Sequence, residues 1–316
     1  MKLGLMLQIG EGALADGKTP RWGDLRDMAL AAESVGFDTL FVPDHLLFRQ
    51  PLEDNLLKVG MPKHRTRGVW EAWTLLAAMA EATSRIELGP FVACNNFRSP
   101  ALLAKMAVTL DEVSGGRLVL GIGAGWHEPE YQAFGFPFDR RVARLEEALQ
   151  ILVPLLRDGQ VDFDGEFYQA RDCEIAPVGP RAGGPPVLIG AQQPRMMRLA
   201  AQYADIFDTD FHLDVAAVAE RFEMAKQACL KIDRDPESLV RSAATNIGLK
   251  ASGSAGITTM TQSGTLREFY AGDIEELVEF ARRFERAGAG RLNVTLFDPP
   301  GARGIEQLGD FVQAFA

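Results

Sequence analysis

The chain has 316 residues, and its 33 Lys and Arg against 43 Asp and Glu give a formal net charge of −10. This acidic balance argues against a nucleic-acid partner, because non-specific binding requires a basic face. Three scattered cysteines exclude a disulfide framework and a four-cysteine zinc site. No apolar run approaches the ~18 residues of a membrane span. We therefore expect a cytoplasmic protein with no membrane partner.

Apolar runs typical of buried strands alternate with helical patterns along the whole chain. In the first half the predicted strands are Leu3–Ile9, Thr39–Pro43, Ile86–Ala93 and Arg117–Ile122. The helix after the first strand ends at Gly36, and the helix after the second includes Trp70. Ser99 and Pro100 begin the third helix as N-cap and first helical residue. Asp139 is predicted to cap the fourth.

The same alternation continues through the second half. The predicted strands there are Pro186–Gly190, Ala204–Asp208, Val240–Leu249 and Arg291–Phe297. A helix begins at Pro194 after the first of these, and another carries Val215 on its buried face. Asp273 and Glu276 form a capping-box pattern at the start of the next helix. A last helix is predicted around Leu308.

Eight strand–helix units without a linker predict one α/β domain over residues 1–316, folded as a closed (β/α)8 TIM barrel. An open doubly wound sheet alternates in the same way, but eight units without a break favour closure. Three long segments are predicted insertions: residues 46–69, 159–185 and 251–272. The first and third follow the carboxyl ends of strands and are predicted lids. The second is predicted to be a hairpin that caps the opposite end.

Polar residues at the carboxyl ends of the strands are the candidates for chemistry, because barrel active sites lie there. Asp44 and His45 follow the second strand, where they would orient a cofactor and transfer a proton, or merely terminate the strand. Asn95, Asn96 and Arg98 follow the third strand, and their two amides and one guanidinium suit a planar, hydrogen-bonding ligand. Cys94 precedes them, but a buried cysteine is more often a packing residue than a nucleophile.

Glycines surround the end of the fourth strand. Gly121, Gly123 and Gly125 allow close approach of the backbone to a ligand. They indicate a dinucleotide site only weakly, because the next predicted helix is delayed to Asp139 and the residue 20 positions after Gly121 is Arg141, which is not acidic. Trp126 and His127 come next, and would either line a pocket or cover a tight turn.

The segment after the fifth strand is the predicted phosphate site. Gly190, Ala191, Gln192 and Gln193 precede the helix that begins at Pro194. A helix N-terminus leaves N–H groups free for an anion. The alternative is an ordinary strand–helix turn, with the arginines that follow on a solvated helix face.

A hydrolytic barrel is disfavoured. The four histidines include no H-x-H pair and no H-E-x-x-H motif, so no metal site is predicted. Glu128 and Glu130 would suit a glycosidase, which needs two carboxyl groups across the scissile bond. No further acidic residue is singled out beyond Asp44 and Asp210.

Three segments resemble one known family. The block FVACNNFRSPALLAKMAVTLDEVSGGRLVLGIGAGWHEPEYQAFGFPF (Phe91–Phe138) is similar to the signature of the bacterial-luciferase-like flavin and deazaflavin oxidoreductases. GFDTLFVPDH (Gly36–His45) and PPVLIGAQQPRMMRLAAQYAD (Pro185–Asp205) match the same family in order and spacing. The resemblance implies a barrel that binds FMN or the deazaflavin coenzyme F420 at the carboxyl ends of its strands.

The resemblance also implies roles for particular residues. It implies that His45 is the catalytic residue that handles the substrate or its proton. The cofactor-binding residues that it implies are Asp44, Ala93, Cys94, Asn95, Gly123, Gly125, Trp126, Gly190, Ala191, Gln192 and Gln193. The last four of these would bind the phosphate. The family often has a cis peptide bond near the end of the third strand.

One difference from the family pattern narrows the range of expected substrates. Sugar-phosphate dehydrogenases of this family have a catalytic Glu just after the glycines of the fourth strand, where this chain has Trp126. The sequence therefore argues against glucose-6-phosphate oxidation. It predicts an F420-dependent oxidoreductase that transfers hydride between the deazaflavin and a small organic substrate. The alternatives are an FMN-dependent monooxygenase supplied by a partner reductase, and a cofactor-binding protein without turnover. A homo-oligomeric assembly is a further possibility.

Overall fold

The computed structural model describes residues 1–51, 64–250, 255–262 and 265–316. Within these residues the strands are β1 (Lys2–Met6), β2 (Thr39–Val42), β3 (Leu47–Pro51), β4 (His64–Gly68), β5 (Glu87–Pro90), β6 (Ala93–Cys94), β7 (Leu120–Gly123), β8 (Gln160–Asp164), β9 (Gln169–Glu174), β10 (Val187–Gly190), β11 (Ile206–Phe211), β12 (Val240–Leu249), β13 (Gly256–Gln262), β14 (Thr265–Gly272) and β15 (Arg291–Asp298). The helices are α1 (Trp22–Val35), α2 (Ala72–Ala82), α3 (Pro100–Val113), α4 (Glu128–Phe134), α5 (Arg141–Arg157), α6 (Pro194–Tyr203), α7 (Val215–Leu230), α8 (Ile274–Arg286), α9 (Ala302–Glu306) and α10 (Gly309–Gln313).

The main sheet is a nearly closed parallel barrel. Its order, over the described residues, is β5-β2-β1-β15-β12-β11-β10-β7-β6. β5 and β6 are two parts of the third barrel strand, and the cis peptide bond Phe91–Val92 lies between them. A parallel bridge between Leu88 and Leu118 brings the two ends of the sheet together. The eight predicted strands and the TIM-barrel architecture are therefore confirmed.

Most predicted helix ends agree with the structure. Gly36 ends α1 with a φ of 98°, in the left-handed region that glycine adopts without steric cost. The Ser99 side chain accepts from the Leu102 N–H at the start of α3. Asp273 and Glu276 form the predicted capping box of α8.

Some local predictions were wrong. Asp139 does not cap α5, because Arg140 is the N-cap residue, in a left-handed conformation with a φ of 52°. Trp70 precedes α2 and lies outside it. The last predicted helix is divided into α9 and α10 around Leu308. Sequence periodicity also missed α4, whose seven residues span only two turns.

The insertions contain antiparallel hairpins. β3 pairs with β4, and β13 pairs with β14, which also runs parallel to β12. The remainder of the two predicted lids, residues 52–63, 251–254 and 263–264, lies outside the described residues. β8 and β9 form the third hairpin, which starts at the amino end of the barrel as predicted. Its tip returns to the carboxyl end, where the Tyr168 hydroxyl meets Asn95 and Asn96. The prediction that this hairpin caps the opposite end of the barrel is therefore wrong at its tip.

The barrel has an apolar centre that is separate from the layer between sheet and helices. Phe41, Phe91, Val119, Leu188 and Ile206 form this inner cluster, and each is at most 9% exposed. They alternate along their strands with residues that pack on the helices, as a parallel barrel requires. The inner cluster closes the centre of the barrel, so a ligand site must lie at one of its ends. No helix in the described ranges is long and apolar enough to cross a membrane.

Candidate active site

His45 and Glu130 form a partly buried pair at the carboxyl end of β2. The Nδ1 atom of His45 lies 2.9 Å from Oε1 of Glu130, and the two side chains are 17% and 2% exposed. The other carboxylate oxygen, Oε2, accepts the Leu46 N–H at 2.9 Å. An ionised carboxylate can only accept, so a neutral imidazole in this contact would carry its proton on Nδ1. The Nε2 atom of His45 then carries a lone pair.

Aromatic rings surround this pair. The ring centroid of His45 lies 4.4 Å from that of Phe48 and 5.7 Å from that of Trp126. Trp126 and His127 are in edge contact at 5.1 Å. Trp126 is 64% exposed, which is unusual for a tryptophan and typical of a residue at a binding surface. We call His45, Phe48, Trp126 and His127 the mouth cluster.

The β3–β4 hairpin is attached to the mouth cluster through a histidine. The Arg49 N–H donates to Nε2 of His127 at 3.0 Å. Nε2 must be unprotonated to accept this bond. Burial lowers the pKa of His127, and the neighbouring carboxylate of Glu130 only partly opposes this. The contact thus depends on a neutral His127.

Asp44 is engaged by protein groups. Its Oδ2 accepts from Nη1 of Arg98 at 2.7 Å and from the Cys94 N–H at 2.9 Å, while Oδ1 accepts from Nη2 of Arg98 at 3.1 Å. The Asp44 side chain has no exposed surface. Burial raises the pKa of Asp44, and Arg98 works against that rise. Asp44 therefore fixes the backbone of β6, and its predicted contact with a cofactor remains a prediction.

The thiol of Cys94 is buried and in contact with a tyrosine hydroxyl. Its Sγ lies 2.8 Å from the hydroxyl of Tyr131, which donates to the Ala124 carbonyl at 3.0 Å. Burial raises the pKa of the Cys94 thiol to about 12. Since the thiolate is the nucleophile, this raised pKa disfavours a nucleophilic role for Cys94, and its predicted contact with a cofactor remains a prediction. The adjacent Ala93 is also fully buried.

Two amides follow Cys94 in a short 3-10 turn. Asn95 Nδ2 donates to Oδ1 of Asn96 at 2.9 Å, and Asn96 Nδ2 donates to the Pro137 carbonyl at 2.8 Å. Asn95 has no exposed surface, yet its Oδ1 has no hydrogen-bond partner within the described residues. A buried acceptor without a donor is costly. Asn95 Oδ1 is therefore a place where a ligand donor would be stabilised.

Close contacts explain why Gly123 and Gly125, at the end of the fourth barrel strand, are glycines. A Cβ on Gly125 would lie 1.8 Å from the Tyr131 hydroxyl and 2.7 Å from Sγ of Cys94, and the φ of Gly125 is +74°. A Cβ on Gly123 would lie 2.7 Å from Cγ2 of Val92. These positions pack tightly against the third barrel strand, whatever their role toward a cofactor.

The predicted phosphate segment has an open helix N-terminus. Gln193 is the N-cap of α6 without a side-chain hydrogen bond, and Pro194 follows it. A Cβ on Gly190 would meet no atom of the described residues within 4 Å, so they leave the space beside it open. The Ala191 N–H is used by the Asp208 carbonyl at 2.9 Å. Gln192 donates from its side chain to Asp210 at 2.7 Å.

The two arginines of α6 form ion pairs with a carboxylate of the protein. Arg195 and Arg198 both bind Glu146 of α5, at 2.7 and 2.6 Å. They are about half exposed, so the alternative of a solvated helix face describes them better than a direct phosphate role.

Sequence reasoning missed how the site is supported. Glu130 was considered only as a glycosidase carboxylate, and neither Phe48 nor Tyr168 was singled out. Their partners are distant in sequence: 85 residues separate His45 from Glu130. The only signal was the Glu-Pro-Glu start of α4, which places acidic residues in a first helical turn. The described residues contain no group of three or more side chains suited to hold a metal ion.

Comparison with known proteins identifies a family and several relatives. The family model for luciferase-like monooxygenases matches residues 1–252. An F420-dependent glucose-6-phosphate dehydrogenase from Intrasporangium calvum is 35% identical over 210 residues, or 64% of this chain and 57% of that protein. The pyrimidine monooxygenase RutA from Escherichia coli is 36% identical over 179 residues, or 54% of this chain and 44% of that protein. The match spans about half the length of these relatives.

Solved structures share the fold. An F420-dependent secondary alcohol dehydrogenase, solved with an F420–acetone adduct, superposes with a TM-score of 0.77. The superposition covers 100% of this chain and 99% of that one at 19% sequence identity. At 19% identity, the similarity shows only that the two proteins share the barrel fold.

Proposed function

The chain belongs to the luciferase-like monooxygenase family, and from that membership we propose that it is an F420-dependent oxidoreductase. It would transfer hydride between the deazaflavin and a small organic substrate. Its relatives by name include both F420-dependent and monooxygenase enzymes. The choice between the two cofactors therefore depends on the chemistry of the site.

The observation that carries the proposal is the contact between Nδ1 of His45 and the carboxylate of Glu130. Nδ1 is engaged by Glu130 at 2.9 Å, which leaves Nε2 as a proton acceptor beside the Phe48 and Trp126 rings. Oxidation of an alcohol requires a hydride acceptor and a base for the hydroxyl proton, and the reverse reduction requires a proton donor. A histidine with one nitrogen anchored and the other available suits that task.

The residues at the strand ends also fit the cofactor. Asn95 Oδ1 is a buried acceptor without a donor among the described residues. Gly190 borders open space, and the uncapped start of α6 offers N–H groups to a phosphate. Asn95 would hold a polar group near the ring, and the segment from Gly190 to Gln193 would hold the phosphate. F420 has a phosphate next to its ribityl chain, as FMN does, so this fit is shared by both.

The protein supplies the position of the reactants and the transfer of the proton. Bound F420 would supply a carbon centre that carries hydride, which no side chain can do. His45 Nε2 would take the proton from a substrate hydroxyl, or return it to a carbonyl. Phe48 and Trp126 would exclude water from that proton. Asp44, held by Arg98, fixes the β6 backbone on which the ring would rest.

The FMN-dependent monooxygenase is the second candidate, because RutA-type monooxygenases are among the relatives. It would require a partner reductase to supply reduced flavin. It would not require a base at His45 for alcohol oxidation. A cofactor-binding protein without turnover is the third candidate.

The test is side-by-side titration of the purified protein with F420 and with FMN, followed by turnover assays. We expect tighter binding of F420 and a substrate-dependent change in its absorbance, without oxygen, when alcohols and carbonyl compounds are screened. His45→Asn should retain F420 binding and lose turnover. Tighter binding of FMN, with oxygen consumption when reduced flavin is supplied, would refute the proposal in favour of the monooxygenase. Binding without turnover in any screen would favour the non-catalytic candidate.

A further inference from the structure

We propose that Glu130 is a positioning residue that sets the tautomer of His45, so that Nε2 is the proton acceptor. The catalytic consequence depends on the proposed function, whereas the tautomer is a property of the protein alone. Glu130 is 1% exposed and is held from two sides, by Nδ1 of His45 and by the Leu46 N–H, each at 2.9 Å.

The two bonds of Glu130 leave one arrangement for the proton. The Leu46 N–H is a backbone donor and must face an acceptor. The other carboxylate oxygen faces Nδ1 of His45, and an ionised carboxylate accepts only. His45 Nδ1 is therefore the donor. Within the described residues Nε2 of His45 has no hydrogen-bond partner, so it is free for a substrate.

Replacing Glu130 by Gln should invert this arrangement with almost no change in shape. A Gln side chain has one carbonyl oxygen and one NH2 group. The oxygen must face the Leu46 N–H, because two donors would otherwise meet. The NH2 group then faces Nδ1 of His45, which becomes an acceptor, and the imidazole proton moves to Nε2. The variant keeps the helix contact but loses the base.

Glu128 is a matched control on the same helix. It lies two residues away in the first turn of α4, is exposed, and accepts from Nε2 of Gln132 at 3.1 Å. Glu128→Gln removes the same charge at nearly the same place. It should leave the His45 tautomer unchanged.

The tautomer can be read directly by ¹⁵N NMR of histidine-labelled protein without cofactor, at alkaline pH where imidazole is neutral. The chain has four histidines, and two others serve as internal references. His127 accepts the Arg49 N–H at Nε2, so its proton lies on Nδ1. His212 Nε2 lies 2.9 Å from the Thr209 carbonyl, so its proton lies on Nε2. The His45→Asn variant assigns the His45 signals.

We expect the wild-type protein and Glu128→Gln to have His45 protonated at Nδ1, and Glu130→Gln to have it protonated at Nε2. In F420 turnover, Glu130→Gln should lower kcat about 100-fold or more, the usual contribution of an acid–base residue. Its affinity for F420 should stay unchanged. A purely structural role for Glu130 would not invert the tautomer.

A proton on Nε2 in the wild-type protein, or on Nδ1 in Glu130→Gln, would overturn the inference. If Glu130→Gln does not fold, the wild-type spectrum decides by itself. If the tautomer inverts but the wild-type protein never turns over F420, the proposed function fails and the role of Glu130 stands. If turnover falls while the tautomer is unchanged, Glu130 acts in another way and the inference fails.

Discussion

Asp44 and Arg98 form a two-point ion pair, with Nη1–Oδ2 and Nη2–Oδ1 distances of 2.7 and 3.1 Å, that joins the end of β2 to the start of α3. Arg98 also donates to Glu71 at 2.8 Å and lies over the Trp73 ring, 5.6 Å from its centroid. The same Asp44 carboxylate accepts the Cys94 N–H. One buried carboxylate, adjacent in sequence to His45 of the mouth cluster, thus connects two neighbouring barrel strands and a helix.

Asp44→Asn should lower the free energy of unfolding by about 3 kcal/mol, because removing one partner leaves the other charge buried and poorly compensated. Urea titration at neutral pH measures the change. Glu166→Gln is the control, since the Arg140–Glu166 pair is more than half exposed on both sides and should contribute no measurable stability. Equal effects of the two substitutions would contradict the assignment of Asp44 as the structural centre of this network.

A second buried carboxylate lies within the barrel. Asp208 is 1% exposed and accepts from Ser242 Oγ at 2.6 Å, from Asn293 Nδ2 at 3.1 Å and from the Asp210 N–H at 2.7 Å. Burial raises the pKa of Asp208 from its ordinary 3.8 to about 6, although these hydrogen bonds oppose the rise. The folded protein therefore holds this proton at a pH where the unfolded chain has released it.

The stability contributed by protonated Asp208 should be complete below pH 3.8 and should be lost as the pH rises through about 6. Relative to Asp208→Asn, which cannot ionise, the wild-type protein should lose about 3 kcal/mol across this window. Urea unfolding of both proteins at a series of pH values measures the difference. Asp164→Asn, at an exposed position on β8 whose charge is not among the main influences on the pKa of Asp208, is the control and should follow the wild-type curve. A pH-independent difference for Asp208→Asn would show that the carboxyl group has an ordinary pKa.

The bond between His127 and the β3–β4 hairpin should also depend on pH, in the opposite direction. Because burial lowers the pKa of His127 below its ordinary 6.5, the folded protein resists protonation there. The bond from the Arg49 N–H should be intact above pH 6.5 and lost as the pH falls through the lowered value.

Hydrogen exchange of the peptide that contains Arg49, corrected for intrinsic rates, tests this. Protection should decrease on acidification in the wild-type protein. It should be unaffected by pH in His127→Gln, whose carbonyl oxygen can replace Nε2 as acceptor without titrating. His212→Gln should behave as the wild-type protein does, since the bond of His212 is to the Thr209 carbonyl. Loss of protection at the same pH in His127→Gln would mean that another group controls the hairpin.

The barrel was predictable because its signals are local. Strand runs such as Ile86–Ala93 and caps such as Ser99 or Asp273 are written in adjacent residues. The support of the site was not predictable in this way. His45 was singled out by its place after a strand, but its partner Glu130 lies 85 residues further on. Asp44 was expected to contact a cofactor, whereas Arg98, 54 residues away, occupies both of its oxygens. Such pairings are set by the tertiary fold.

A substitution at Gly190 can test whether the segment after β10 binds the cofactor phosphate. It separates an effect on binding from an effect on folding. Gly190 ends β10 opposite Asp208, and a Cβ built there would meet no atom within 4 Å in the part of the chain that the structure describes. Gly190→Ala should therefore leave the unfolding midpoint of the cofactor-free protein unchanged. The added methyl group would lie in the open space beside the start of α6, where the cofactor phosphate is proposed to bind.

We expect Gly190→Ala to weaken F420 binding about tenfold, or ~1.4 kcal/mol, because the backbone can no longer approach the phosphate closely. Fluorescence titration measures the affinity, and thermal unfolding without cofactor measures the fold. Gly23→Ala on α1 is the control, since that position is equally open and lies in a helix; it should leave the affinity unchanged. Wild-type affinity in Gly190→Ala would place the phosphate elsewhere. A lowered unfolding midpoint would instead mean that the space beside Gly190 is not open, and the loss of affinity would then follow from misfolding and not from a blocked phosphate site.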